Sequence, residues 1–104
     1  MVVFGGCAER NVDGGIASTP FLLNDVWTLN VKAGLVWEKA EEKSISPHPR
    51  EGHAAAVVGT EPAPKMVIFG GMNSTGFVSN DLWTWMPSSE TWVRCIALWC
   101  NMHV

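Results

Sequence analysis

Five small groups of residues in this sequence could do chemistry. Arg50 and His53 stand three apart and suggest an acid–base pair. Asp25 and Asp81 are candidate carboxylates, and Cys95, Cys100 and His103 lie close enough together to suggest zinc. Gly5-Gly6 and Gly70-Gly71 suggest phosphate cradles, and Asn73-Ser74-Thr75 fits the N-glycosylation triplet. Each suggestion weakens against its surroundings. Neither glycine pair is followed by a Lys-Ser/Thr or a helical pattern, so a phosphate loop is excluded. The cysteines are not a paired C-x₂-C, and no fourth ligand is apparent. The two aspartates occupy the same place in two related stretches, and a side chain needed in each is ordinarily a turn or hydrogen-bond device. Asn24 and Asn80 read likewise. No Ser-His-Asp set or nucleophile motif is present. The expectation is therefore no catalytic residue, no cofactor and no metal.

The elements that carry these residues occur twice. Met1-Val2-Val3-Phe4-Gly5-Gly6 returns as Met66-Val67-Ile68-Phe69-Gly70-Gly71, an offset of 65 positions. Asn24-Asp25-Val26-Trp27-Thr28-Leu29 returns as Asn80-Asp81-Leu82-Trp83-Thr84-Trp85, an offset of 56, and Trp37 returns as Trp92, an offset of 55. The elements align without gaps, so the length differences fall in the connections, chiefly Cys7 to Leu23 against Met72 to Ser79. Length changes confined to connections mark surface loops on a constant scaffold. A period near 50 residues holding several short strands is the signature of a propeller blade.

With these elements in order, the chain resembles the Kelch family. Arg50-Glu51-Gly52-His53 followed by Ala54-Ala55-Ala56-Val57-Val58 matches the family's Arg-x-Gly-His opening. The strand ending in Gly70-Gly71, then Asn80-Asp81 with Trp83, then Trp92 complete one repeat. Gly5, Gly6, Asn24, Asp25, Trp27 and Trp37 supply all of another except its opening strand. Trp27 and Trp83 stand where such repeats often carry tyrosine, which this sequence lacks. The resemblance implies an all-β, incomplete Kelch-type β-propeller of about two four-stranded antiparallel blades. It implies an architectural role for Arg50, Gly52 and His53, and protein binding as the usual task. Some Kelch-like propellers are copper oxidases whose site needs tyrosine, and this chain cannot supply one.

Taken in order, residues 1–40 read as a partial blade with strands b, c and d. Strand b is Met1 to Phe4, strand c Asn24 to Asn30 and strand d Leu35 to Ala40. Cys7 to Leu23 shows turn chemistry at Asp13-Gly14-Gly15 and no apolar period, so it is expected to be irregular. Residues 41–49 are a polar linker in which Pro47 and Pro49 oppose helix and ladder pairing. Residues 50–96 read as a complete blade, with strand a over Gly52 to Val58. Its alanines are poor strand formers, but the first strand of a blade lies nearest the crowded axis. A short helix over 51–58 is the competing reading. Met66 to Phe69 is apolar throughout, as expected of a strand covered on both faces. A two-sheet sandwich would instead show polar alternation. Residues 97–104 match no element.

The formal net charge of −3 gives no reason to expect nucleic acid or an anionic membrane as partner. No apolar run approaches the roughly 18 residues of a membrane span. The start lacks the basic region of a signal peptide, and the three cysteines make no disulfide framework, so a cytoplasmic setting is expected. Fewer than two blades cannot close a ring, so the chain reads as a fragment that associates with itself or with further blades. The longest connections, b–c and d–a, emerge at one end of an antiparallel blade. Arg10, Asp13, Phe21, Glu42, Lys43 and His48 on that rim are the candidate contacts for a protein partner. Two other readings stay open: a non-catalytic fragment of a larger Kelch-containing enzyme or effector, and a truncated piece without independent function.

Overall fold

The computed structural model describes residues 1–12, 17–60 and 63–95, without the side chains of residues 10–12 and 17–19. Among the described residues, seven strands form two antiparallel sheets. The first sheet, in order β1-β2-β3, joins β1 (Val2–Val12), β2 (Ala17–Asn30) and β3 (Val36–Lys39). The second, in order β4-β5-β6-β7, joins β4 (Ala54–Val58), β5 (Lys65–Phe69), β6 (Leu82–Met86) and β7 (Thr91–Cys95). The all-β, partial-blade architecture expected from the repeat is what the chain adopts, and Ala54 to Val58 is a strand rather than a helix turn.

The two sheets are copies in register as well as in sequence. Val2 pairs with Thr28, Val3 with Trp27 and Phe4 with Val26. Their repeat equivalents pair in the same way, Val67 with Thr84, Ile68 with Trp83 and Phe69 with Leu82. Trp37 faces Leu29 as Trp92 faces Trp85. The turns into β3 and β7 agree too, since Leu35 (φ 63°) and Glu90 (φ 55°) are both left-handed at equivalent positions.

Side chains alternate across a strand, and the sheets use opposite faces at their seam. The first sheet contributes Phe4 and Val26, with Val2 and Ala40 beside them. The second contributes Met66, Ile68, Trp83, Trp85 and Trp92. Phe4 meets Trp92 edge-on at 4.9 Å between centroids, and Trp85 lies 5.3 Å from Trp92. Large aromatics of this kind bury roughly 150–250 Å² each and dominate such a small core. The remaining faces are uncovered among the described residues. Phe69, the equivalent of buried Phe4, is 52% exposed, and Trp37, the equivalent of buried Trp92, is 45% exposed. The expectation that β5 is covered on both faces therefore fails here: its burial alternates, because only one side has a neighbouring sheet.

The second correction concerns Cys7 to Leu23. Rather than an irregular loop, it is a two-stranded ribbon, paired from Gly6–Leu23 through Val12–Ala17. Its strands are joined by backbone pairing, which proceeds without the alternation that sequence patterns detect. Pro20 is tolerated opposite Glu9 because a two-stranded ribbon has a free edge on each side. Asp13, with the expected turn at residues 13–15, and residues 96–104 lie outside the described residues.

Candidate functional site

The residues that first suggested chemistry converge where the linker crosses from one sheet to the other. Arg50 is 2% exposed. Its backbone belongs to the first sheet: Arg50 N–H donates to the Leu23 carbonyl at 3.2 Å, and the Arg50 carbonyl accepts from Gly6 N–H at 2.9 Å. Its side chain belongs to the second. Nη1 and Nη2 donate to Asp81 Oδ1 and Oδ2 at 2.6 and 2.9 Å, and Nη1 also reaches the Gly70 carbonyl at 2.9 Å. Nε donates to the His48 carbonyl at 3.1 Å. A planar guanidinium suits this fork better than an ammonium would. Asp81 also accepts from Trp83 Nε1 at 2.8 Å. The Arg50 hydrogen bonds, outweighing burial and helped by Trp83, hold its carboxyl down at about 2.

Close backbone approach explains the diglycines. The segment from Arg50 to His53 runs between Gly5 and Gly71. A Cβ on Gly5 would lie 3.0 Å from His53 Cε1 and 3.1 Å from the Arg50 carbonyl, at φ +71°. A Cβ on Gly71 would lie 3.0 Å from both the Glu51 carbonyl and His53 Cβ, at φ +101°. Only glycine accepts both the contact and the backbone angle.

In this arrangement the candidate acid–base pair is held in structural contacts. Arg50 is committed to Asp81, and His53 lies against Phe4, with ring centroids 5.4 Å apart. Burial pushes the His53 pKa below its ordinary value against the hydrogen bond with Phe4, and the Arg50 charge adds to the lowering. His53 Nδ1 is buried without a hydrogen-bond partner among the described residues. Asp25 accepts from Trp27 Nε1 at 2.8 Å, as Asp81 does from Trp83. Asn24 holds the linker through the Pro47 carbonyl at 3.3 Å. Among the described residues no cluster of His, Cys, Asp or Glu could hold a metal ion. Cys7 is a free, exposed thiol, whereas Cys95 is disulfide-bonded and Cys100 and His103 lie outside the described residues.

The six rim candidates divide. His48 is exposed and sits beside Pro47 and Arg50, which are tied to the base of the ribbon. Phe21 is half-buried within the ribbon, and the Arg10 side chain and Asp13 lie outside the described residues. Glu42 is exposed, and Lys43 pairs with Glu90 at 3.5 Å on the β6–β7 turn. That turn lies at the opposite end of the second sheet from its b–c connection, so Lys43 departs from the expected single rim. The first half of the linker is bound there by Glu41 N–H to Glu90 at 3.1 Å and Trp92 N–H to Ser44 Oγ at 2.9 Å. Sequence reasoning passed over Ser44 and Glu90 as contacts, and gave the buried Pro47 only a breaker's role, because none belongs to a repeated motif.

Stacked antiparallel sheets in repeat register, tied by an arginine that spans the seam, define a blade-repeat β-protein. Residues 1–98 match the KLHDC2/KLHL20/DRC7 Kelch-repeats domain, and the chain belongs to the Kelch-repeat family. It is 33% identical over 97 residues to host cell factor 2 of Homo sapiens, covering 88% of this chain and 12% of that protein. It is 36% identical over 96 residues to host cell factor 1 of Homo sapiens, covering 86% and 4%. A third relative is the tRNA wybutosine-synthesizing protein 2/3/4 of Arabidopsis thaliana, 41% identical over 69 residues, covering 66% and 6%. The chain thus spans only a small part of the relatives it matches.

Proposed function

We propose that this chain is a protein-interaction module, working without catalysis or cofactor; the disulfide at Cys95 removes the ground for the expected cytoplasmic setting. Its recognition surface is the β1–β2 ribbon together with the His48 end of the linker. The observation that carries this reading is the ribbon itself. It departs from the length of its counterpart at Met72 to Ser79, and its two strands pair with each other from Gly6–Leu23 through Val12–Ala17. Paired strands present side chains on two faces with little entropy left to lose on binding. Membership of the Kelch family supports a protein partner, and the mild charge supports neither nucleic acid nor membrane. No helix among the described residues is long and apolar enough to cross a membrane.

The test is to replace Cys7 to Leu23 with the shorter Met72 to Ser79 and compare the proteins crosslinked by the two chains in cells. Loss of the wild-type partners with the sheets intact is the expected result. An unchanged partner set would end the proposal.

The Arabidopsis relative, whose name is that of a tRNA-modifying protein, favours a second reading: a non-catalytic part of a larger enzyme. Sequence flanking the chain separates the two, because a catalytic domain alongside supports the second.

A further inference from the structure

Asn73-Ser74-Thr75 lies at the tip of the β5–β6 connection. The bridge between Met72 and Val78 closes its base. Asn73 N–H donates to the Phe77 carbonyl at 3.0 Å, and Gly76 N–H to the Asn73 carbonyl at 3.0 Å, with Gly76 left-handed at φ 81°. The Asn73 side chain is held from one end. Its Oδ1 accepts from Thr75 N–H at 3.0 Å, Thr75 Oγ1 at 2.8 Å and Phe77 N–H at 2.9 Å. Two of these partners are backbone N–H groups, which only donate, so the atom facing them is the amide oxygen. Nδ2 is therefore the free end of the group, without a hydrogen-bond partner among the described residues. Ser74, Thr75 and Gly76 are exposed around it. A further sheet stacked by the rule of the present seam leaves this tip open. Arg50 bonds the base of the ribbon at Gly6 and Leu23, whose repeat equivalents are Gly71 and Ser79, outside the triplet.

A second observation, on another strand, bears on the compartment. Cys95 is disulfide-bonded. Such bonds form and persist in oxidising surroundings, as in the endoplasmic reticulum lumen and outside the cell. An Asn-x-Ser/Thr triplet in a surface turn meets its modifying enzyme on that same route. We propose that Asn73 is an N-glycosylation site, carrying an oligosaccharide that begins with an N-acetylhexosamine. Nδ2 bonds to the anomeric carbon of a lipid-linked oligosaccharide diphosphate. The bond from that carbon to the phosphate oxygen breaks, the lipid diphosphate leaves with the electron pair, and the amide gives up one proton. No oxidant or reductant takes part. The Thr75 hydroxyl and the turn hold the carboxamide by its oxygen and present the nitrogen. The site belongs to the second sheet and does not rest on the ribbon surface.

The test uses the chain isolated from the cells that make it, with free thiols alkylated at lysis. The peptide spanning residue 73 is weighed by mass spectrometry before and after peptide N-glycosidase treatment in heavy-oxygen water. A glycan-bearing peptide is expected, converted by the enzyme to one with labelled aspartate at that position, and Cys95 should escape alkylation. Asn73→Gln and Thr75→Ala should each abolish the glycan, while Thr75→Ser, which keeps the hydroxyl, should retain it. The wild-type measurement depends on no variant folding. Bare asparagine at position 73 would overturn the proposal, whether Cys95 is recovered oxidised or alkylated. A glycan persisting in Thr75→Ala would overturn it equally.

Discussion

Substituting Asp81→Asn strikes the contact on which the seam between the sheets depends. The variant keeps the size of the side chain but leaves Arg50, 2% exposed, facing a neutral amide. Removing one member of a buried ion pair costs about 3–5 kcal/mol, comparable with the whole stability of a small domain. The acid limb supplies a second, independent magnitude. Asp81 is held at about 2 against an ordinary 3.8, which at about 1.4 kcal/mol per unit corresponds to roughly 2 kcal/mol. A depressed carboxylate stabilises fully above its unfolded value and loses that contribution as pH falls through the folded one. The loss therefore falls between about pH 4 and about pH 2. His53, depressed by burial, acts in a separate window that opens as pH drops below its ordinary 6.5. Urea unfolding followed by tryptophan fluorescence, repeated from neutral to acid pH, resolves the two. The wild type should lose roughly 2 kcal/mol across the acid window. Asp81→Asn should begin about 3–5 kcal/mol lower at neutral pH and lack that loss. A variant within about 1 kcal/mol of wild type at neutral pH, or one retaining the full acid slope, would refute the reasoning.

Two further comparisons follow, the second using the repeat as its own control. Gly5→Ala should cost about 1–3 kcal/mol more than Gly76→Ala in thermal unfolding. Both sites have positive φ, but only Gly5 has neighbouring carbonyls within 3.4 Å of the new methyl; equal costs would mean the close approach is absent. Trp92→Ala should cost about 3–5 kcal/mol and Trp37→Ala under about 1, since the equivalent positions are 7% and 45% exposed. Similar losses would show that the outward face of the first sheet is covered in solution.

Strand identity and pairing were legible because Phe-Gly-Gly and Asn-Asp-x-Trp each recur without internal gaps, the length change falling between them, and similar local sequence favours the same register. The ribbon was not. Its pairing is made by backbone, and its residues carry no apolar rhythm to read. The destination of Lys43 was equally hidden, because Glu90 lies 47 residues away in a turn that no motif marks. For the Arg50–Asp81 pair, sequence supplied the residue types, while the division of Arg50 between two sheets needed coordinates.

The seam joins the front of one sheet to the back of the next, so no twofold axis relates its halves. A contact of that kind does not pair off and stop. Repeated, it carries a constant rotation from each unit to the next, and it must either close into a circle or wind on without end. The direction of travel is built in at Phe4 and Trp92: one end of any such stack would always show an aromatic knob, the other an indole-lined socket.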